Sequence, residues 1–259
     1  SSDLVSDSLV LGAALGLSNN DADISDNGGS LDTQGYSVSG YATWYKDAWY
    51  FDGVATWGSN DFEVVRRIEY TLPALDGGLT QVNQLAKASP GGDQVSLALS
   101  IGRDFSKGAW LFGPYMRGTY TKVDFDGYSE RVDDPLAPGA GFALTVEDRT
   151  LKSMEVVLGG KVSYTMSTSW GILMPNFQLE YLNELEDNPD DLVSRFTADP
   201  TGTPIIITGE DDDTSYFNIG FGLSAVFGNG KSAFIYYEHR AGQSNMTMDN
   251  LALGVRIEF

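Results

Sequence analysis

Apolar and polar residues alternate along most of this chain with a period of two residues, rather than the 3.6 of an α-helix. The alternation is clearest in the last segment, where Leu251, Leu253, Val255, Ile257 and Phe259 are separated by small or charged residues. A strand with one apolar face has this period, because successive side chains point to opposite sides of a sheet. The pattern therefore predicts β-strands from one end of the sequence to the other.

Ten segments carry the alternation and are predicted as strands. They lie at residues 9–18, 35–46, 49–57, 95–101, 110–120, 154–164, 173–181, 217–227, 233–240 and 250–259. Trp and Tyr residues concentrate near the ends of these segments, where the aromatic girdles of a membrane barrel lie at the two interfaces. The residues predicted for these girdles are Trp44, Tyr45, Trp49, Trp110, Tyr120, Tyr164, Trp170 and Tyr181.

The connections between these strands alternate between short and long. Tight turns are predicted at 46–47, 106–108, 167–168 and 228–230, and longer polar segments at 19–34, 60–92, 125–151, 183–214 and 242–249. Short turns on one side and long loops on the other are typical of an outer-membrane barrel, whereas a β-sandwich does not predict this strict alternation. The predicted fold class is all-β: a transmembrane antiparallel up-and-down β-barrel, with the turns and the C-terminus on the periplasmic side.

Charged residues recur on one face of the predicted strands. A Lys or Arg facing lipid at the bilayer midplane costs roughly 2–4 kcal/mol, and an acid costs less, so this face is predicted to line the lumen. The predicted lumen-lining charges are Asp52, Arg117, Glu155, Lys161, Glu180, Glu238, Arg240, Arg256 and Glu258.

The composition excludes several kinds of chemistry. The chain has no Cys and one His, His239, which excludes a thiol nucleophile and a multi-His metal site, so no metal or other cofactor is expected. The net charge of −20 argues against nucleic acid as a partner. Gly159-Gly160, Gly220 and Gly222 lie inside predicted strands with no following helix, which argues against a nucleotide-binding loop.

Taken in order, five segments resemble the autotransporter β-domain, the translocator barrel of type V secretion in Gram-negative bacteria. They are GYATWYKDAWYFDGVATWG (40–58), GRDFSKGAWLFGPYMRGTY (102–120), LGGKVSYTMSTSWGILMPNFQLEY (158–181), FNIGFGLSAVFGNGKSAFIYYE (217–238) and LALGVRIEF (251–259). The resemblance implies a barrel inserted in the outer membrane, needed to bring an N-terminal passenger to the cell surface. It also implies contact with outer-membrane lipid and lipopolysaccharide, and a monomer.

The strand count departs from the pattern of this family. Family barrels have twelve strands and a helix threaded through the pore ahead of the first strand, whereas ten strands and no N-terminal helix are predicted here. We expect residues 1–259 to form a single barrel domain that lacks an upstream hairpin, the linker helix and the passenger. The chain begins Ser1-Ser2-Asp3, which is expected of a mature or trimmed segment. Strands merged within 60–92 or 183–214 are one alternative explanation. A ten-strand barrel with both termini periplasmic is another, because its strand count is even.

The resemblance also suggests roles for particular residues. The lumen charges are expected to hold a linker helix or passenger segment and to keep the pore hydrated; an ion-pair lattice that fills the barrel is the alternative. Phe259, a terminal aromatic residue on an alternating last strand, is expected to be the signal that the barrel-assembly machinery recognises. The alternative for Phe259 is an ordinary apolar strand end.

The acidic segment at 183–214 has two interpretations. Its clustered carboxylates suit Ca²⁺, or lipopolysaccharide through bridging divalent cations, but a solvated surface loop is the favoured interpretation. Within it, residues 192–196 and 204–208 flank Pro200-Thr201-Gly202 and are predicted to form a hairpin above the membrane.

Three functions remain open from the sequence. The favoured one is an autotransporter translocator and anchor without catalysis of its own. The second is a free-standing porin-like or adhesin-like outer-membrane barrel without a passenger. The third is an outer-membrane protease or lipase built on the barrel.

Overall fold

A computed structural model of the 259-residue chain describes residues 2–6, 8–25, 27–73, 77–187, 191–209, 213–228, 230–244 and 246–257. The fold is almost entirely β, with antiparallel pairing throughout and one short 3₁₀-helix at Ala140–Phe142. No helix in these ranges is long and apolar enough to cross a membrane.

The strands are numbered in chain order. Their bounds are β1 Ser2–Ser6, β2 Leu9–Ile24, β3 Gly29–Lys46, β4 Trp49–Pro73, β5 Leu79–Ala88, β6 Gly91–Arg103, β7 Phe105–Lys107, β8 Trp110–Phe125, β9 Tyr128–Ser129, β10 Arg131–Val132, β11 Leu144–Val146, β12 Arg149–Tyr164, β13 Met166–Thr168, β14 Gly171–Asp187, β15 Leu192–Phe196, β16 Ile205–Ile207, β17 Ser215–Phe227, β18 Lys231–Ala241 and β19 Met248–Ile257.

The main sheet follows the chain up and down in the order β1-β2-β3-β4-β6-β8-β12-β14-β17-β18-β19. All ten predicted strands are present in it, and the all-β, antiparallel up-and-down prediction is confirmed. The count of ten is wrong, because the short strand β1 adds an eleventh to the sheet order. The described strands form a half-barrel with β1 and β19 at its two ends.

The short connections lie at one end of the sheet, here called the short-turn end, and the long ones at the other, the long-loop end. Among the described residues, turns fall at 47–48, 108–109 and 169–170 and at residues 228 and 230, within two residues of the predicted positions. Asp47 and Gly108 adopt φ of 56° and 63°, the left-handed backbone that a tight turn between twisted strands requires.

Two of the predicted long loops are in fact mostly strand. β2 continues to Ile24 and β3 begins at Gly29, and β4 runs on to Pro73 and returns as β5, which pairs with the distal half of β4. The β2 and β3 extensions are mostly polar on both faces. The β4 extension keeps one apolar register, which Arg66 interrupts, at Phe62, Val64, Ile68, Tyr70 and Leu72. β5 is a hairpin partner at the long-loop end and not a strand of the main order.

The described parts of the connections at the long-loop end fold into a cap. Its small sheet has the order β16-β15-β11-β9, which includes the predicted hairpin of β15 and β16. Glu130, which is buried, forms a two-point ion pair with Arg66 at 2.6 and 2.9 Å and accepts a hydrogen bond from the Leu144 amide. These contacts hold the segment after β8 against the β4–β5 hairpin.

The two faces of the main sheet differ in polarity. One face, here called the apolar face, carries large exposed side chains on nearly every strand, among them Leu99, Met116, Leu158, Phe221 and Leu253. Burial in a folded protein normally removes such residues from the surface, so a continuous exposed set of this kind marks contact with a partner or a membrane.

Aromatic residues border the apolar face at both ends. On β8, Trp110 packs against Tyr164 at the short-turn end, with ring centroids 4.7 Å apart, and Tyr120 lies on the same face towards the long-loop end. Ten residues at about 3.3 Å each, tilted by roughly 40°, give a height of about 25 Å, the thickness of the apolar band of an outer-membrane barrel.

Candidate functional site

The opposite face, here called the polar face, carries a hydrogen-bonded network centred on Glu180 of β14. The Tyr115 hydroxyl of β8 donates to Glu180 Oε1 at 2.5 Å, although β12 lies between these two strands. Gly159 is the residue of β12 directly opposite Tyr115 in register, and the phenol ring lies over it. A side chain at position 159 would occupy that space, so the glycine opens the path between the two strands.

Glu180 is surrounded by donors. Gln178 Nε2 donates to it at 3.1 Å, Asn218 Nδ2 of β17 at 3.3 Å, and Arg117 Nη1 of β8 forms an ion pair with it at 3.3 Å. Only 2% of the residue is exposed. A polar group this deeply buried is costly unless hydrogen-bond partners surround it, and these donors supply them.

The network continues across β17 and β18. Arg240 Nε donates to Asn218 Oδ1 at 3.2 Å, and its guanidinium lies 4.3 Å from the ring centroid of Tyr216. The Tyr216 hydroxyl donates in turn to Glu155 Oε2 of β12 at 2.8 Å. The polar face is the concave one, since side chains two strands apart meet on it while the apolar face stays exposed.

A small apolar cluster lies beside this network. Val157, Leu182 and Tyr216 are buried and occupy directly paired positions on β12, β14 and β17. One side of the polar network therefore lies against apolar groups, whose low dielectric strengthens its hydrogen bonds.

A second polar group lies nearer the short-turn end. Lys161 Nζ is 3.5 Å from Asp104 Oδ1 and 4.9 Å from the ring centroid of Tyr50. Asp52 of β4 accepts a hydrogen bond from the Thr43 hydroxyl at 2.7 Å. These side chains are only half-buried, so they present charge to the space that the sheet partly encloses.

The remaining predicted charges lie towards β19. Glu238 accepts a hydrogen bond from the Tyr236 hydroxyl at 2.9 Å, and Arg256 is exposed on β19 opposite Ser232. Glu258 and Phe259 lie outside the described residues. The structure thus brings Arg117, Glu155, Glu180 and Arg240 into one network, while Asp52 and Lys161 lie nearer the short-turn end and Glu238 bonds to Tyr236.

Sequence reasoning missed the tyrosines that connect these charges. Each tyrosine lies two residues before a polar-face residue on the same strand, and this spacing indicates that it shares that face. The pairs are Tyr115 and Arg117, Tyr216 and Asn218, and Tyr236 and Glu238. Aromatic residues in a membrane barrel are expected at the interfaces, so inward-facing tyrosines were not considered. Tyr45, predicted for an aromatic girdle, lies instead in the polar-face register of β3.

The only histidine lies away from this network. His239 belongs to the apolar-face register of β18, and its Nδ1 is 2.8 Å from Asp249 Oδ1 of β19. Within the described part of the chain, no group of three or more His, Asp or Glu residues is placed to hold a metal ion.

A further cavity of about 270 Å³ lies at the long-loop end. Its lining includes Phe62 and Phe125, whose ring centroids are 5.6 Å apart, with the Arg149 guanidinium 5.1 Å from the Phe125 ring. Tyr128, Val146 and Leu192 of the cap complete the lining, so this cavity lies where the small sheet meets the main one.

The polar concave face, the exposed apolar face and the two aromatic borders define a membrane β-barrel protein. The family model for the autotransporter β-domain matches residues 3–238. The chain therefore belongs to the autotransporter β-domain family, whose members are outer-membrane barrels of Gram-negative bacteria.

Two solved structures have a similar fold. The translocator domain of the autotransporter NalP from Neisseria meningitidis superposes with a TM-score of 0.68 at 14% identity, covering 98% of this chain and 76% of that one. The β-domain of the Bordetella autotransporter BrkA gives a TM-score of 0.57 at 20% identity, covering 97% and 84%.

Two curated relatives are larger proteins. The esterases EstA of Pseudomonas aeruginosa and Pseudomonas putida are each 24% identical over 229 residues, which is 86% of this chain and 32% of the relative. The chain thus spans about a third of the length of the curated relatives it matches.

Proposed function

We propose that this chain is the outer-membrane anchor and translocator of an autotransporter, needed to export an N-terminal passenger to the cell surface. The observation that carries the proposal is the pairing of an exposed apolar face with a buried, hydrogen-bonded polar face. A soluble domain has the opposite arrangement, because water favours polar groups outside and apolar groups inside. Membership of the autotransporter β-domain family connects this membrane architecture with export.

The polar face is proposed to line the lumen and to contact the linker helix or the passenger. Four charged side chains of the polar face stay partly accessible: Asp52, Arg117, Lys161 and Arg240. Because positive and negative side chains lie along the same face, an extended segment can contact them at many points without being held at one. Glu155 and Glu180 are proposed to stabilise the wall itself, because their oxygens are occupied by partners on neighbouring strands. Glu238 and Arg256 extend the lining towards β19.

No catalysis is proposed for the chain itself. The two relatives are named esterases, but the alignment with this chain covers only 32% of each of them. The buried carboxylate of Glu180 accepts hydrogen bonds from several neighbouring side chains. Its proposed role is to stabilise the barrel wall, not to act as a general base. Any enzymatic activity is proposed to reside in a passenger.

The proposed setting is the bacterial outer membrane, with the short-turn end in the periplasm and the long-loop end outside. The apolar face contacts lipid and lipopolysaccharide, the barrel acts as a monomer, and Phe259 provides the signal for the barrel-assembly machinery. The free-standing porin-like barrel has no observation in its favour here and serves as an outcome of the test below.

The test is surface display in a Gram-negative host. The coding sequence upstream of Ser1 is retained with an epitope tag in the passenger, and intact cells are treated with proteinase K. We expect the tag to be digested on cells carrying the intact chain and to be protected when β17–β19 are deleted. Heat-modifiable migration of the membrane fraction on SDS gels verifies that the barrel has folded.

The result that contradicts the proposal is equally concrete. A folded, heat-modifiable barrel in the outer membrane whose upstream sequence is only a signal peptide would identify a free-standing barrel. Single substitutions Asp52→Asn, Glu155→Gln, Glu180→Gln and Glu238→Gln are expected to leave processing of the full-length protein unchanged. Loss of processing in any folded variant would instead support a barrel protease.

A further inference from the structure

The small sheet of the cap ends in an exposed apolar strand. β16 pairs with β15 on one side, and the order β16-β15-β11-β9 places it at the edge. Its residues Ile205, Ile206 and Ile207 are 36%, 56% and 57% exposed. Because successive residues of a strand point to opposite faces, exposure of all three means that neither face of β16 is covered.

An edge of this kind is adapted for pairing. Every second residue of an edge strand directs its backbone N–H and C=O away from the sheet, where an extended segment from another chain completes the ladder. Soluble proteins usually blunt such edges with charges, proline or a covering loop. β16 carries three β-branched residues, which have a high preference for strands, and no charge.

The charges around the hairpin restrict what binds there. In register, Leu192 at the start of β15 pairs with Ile207 at the end of β16, so both lie at one end of the hairpin. Asp190 and Asp191 immediately precede that end in the sequence, and the run Glu210–Asp213 follows it. Arg195 within β15 is already paired with Glu147 at 3.0 Å. One end of the exposed edge is therefore bordered by acidic sequence on both strands.

We propose that β16 is a docking edge for an extended segment of another protein, apolar where it meets Ile205–Ile207 and carrying Lys or Arg beyond the acidic end. A second copy of this chain is a poor occupant, because each copy has a net charge of −20. The proposal rests on the proposed function only for the orientation of the long-loop end towards the cell exterior.

The test uses the purified full chain in detergent micelles and two labelled synthetic peptides. One has two lysines followed by alternating valine and threonine; the other has two glutamates in place of the lysines. Fluorescence anisotropy is expected to show binding of the lysine peptide, weakened by salt, and binding of the glutamate peptide that is weaker by about tenfold or more.

The matched variants separate the edge from general apolar adsorption. Replacing all three isoleucines (Ile205→Thr, Ile206→Thr and Ile207→Thr) keeps β-branched residues but is expected to weaken binding by about tenfold. Leu136→Thr is the control, because Leu136 is 97% exposed at the same end but lies outside any strand. Each variant is verified by heat-modifiable migration on SDS gels.

Three outcomes would overturn the proposal: absence of binding by the lysine peptide, equal binding of both peptides, or unchanged binding in the threonine variant. Sedimentation that shows a dimer lost in the threonine variant would overturn it as well, since a second copy would then be the occupant. Peptide binding in micelles together with failed passenger export would contradict the proposed function and leave the docking edge standing.

Discussion

Tyr115 and Glu180 are joined by a 2.5 Å hydrogen bond across an intervening strand, and the tyrosine ring lies over Gly159 on the way. The bond links β8 with β14 through side chains alone, because β12 lies between them and forms a backbone ladder with each. Arg117 makes the same crossing to Glu180. The curvature of this part of the wall is therefore fixed by inward-facing polar groups as well as by the sheet ladder.

Glu180→Leu is expected to destabilise the folded chain strongly. The substitution leaves the Tyr115 hydroxyl, the Asn218 amide and the Arg117 guanidinium without their shared acceptor, at a cost of roughly 3 kcal/mol. Urea titration in micelles, followed by loss of heat-modifiable migration, measures the change. Asp52→Leu is the control, since Asp52 is half-exposed and accepts one hydrogen bond from Thr43. Equal midpoints for the two variants would contradict the central role of Glu180.

Gly159→Ala is expected to be costly only while Tyr115 is present. A Cβ at position 159 would meet the phenol ring and displace the hydroxyl from Glu180. In a double-mutant cycle with Tyr115→Ala, the coupling energy is expected to be about 1 kcal/mol or more, as for residues in direct contact. Additive effects of the two substitutions on the free energy of unfolding, measured by the same urea titration, would show that the position of the Tyr115 ring does not depend on Gly159.

The strands that cross the apolar band were predictable, and those beyond it were not. Within the band, one face is apolar and the other polar, so a segment such as 217–227 alternates visibly. Where β4 continues past Asn60, Arg66 interrupts its apolar register, and the apolar face packs against the cap instead of facing lipid, with Ile68 buried and Tyr70 against Phe142. The ladder continues there as the hairpin of β4 with β5. β1, with five residues, is too short for a period of two to be recognised.

The candidate site was predictable as a set of charges but not as a network. Alternation alone places Arg117 and Glu180 on one face, yet strand order and register decide that they meet across β12. The path from Glu180 through Asn218, Arg240 and Tyr216 to Glu155 depends in the same way on three separate registers. A sequence pattern specifies a face, whereas the partner of each side chain follows only once neighbouring strands are aligned.

Leu158→Arg is expected to destabilise the chain in lipid. Leu158 is 56% exposed on the apolar face of β12, next to Met116 of β8 in register. An arginine there faces the bilayer interior, at a cost of roughly 2–4 kcal/mol. Folding into lipid vesicles, assayed by heat-modifiable migration, measures the effect. Leu136→Arg in the cap is the control and is expected to fold like the parent chain. Equal folding of both variants would mean that the apolar face does not contact lipid.

The turn between β15 and β16 is expected to loosen in acid. Asp199 accepts hydrogen bonds from the amides of Thr201 and Thr203 at 2.8 and 3.0 Å and from the Thr201 hydroxyl, and these bonds lower the pKa of its carboxyl. A lowered pKa in the folded state means that the carboxylate stabilises the turn above the ordinary Asp pKa of about 3.9. That contribution is lost as pH falls through the lower, folded-state pKa.

Amide exchange, corrected for intrinsic rates, tests this prediction. Protection of Thr201 and Thr203 is expected to be retained from neutral pH down to about 4 and to fall below it, where the free carboxyl is protonated. Asp199→Ala is expected to show low protection at every pH, because the acceptor is missing, whereas Asp213→Ala leaves the turn unchanged, since Asp213 accepts from the Ser244 amide elsewhere in the cap. Protection that rises on acidification would reverse the sign and exclude Asp199 as the group that holds the turn. The turn sets the length and alignment of β16. Its loosening is therefore also expected to weaken the binding of a partner segment along Ile205–Ile207.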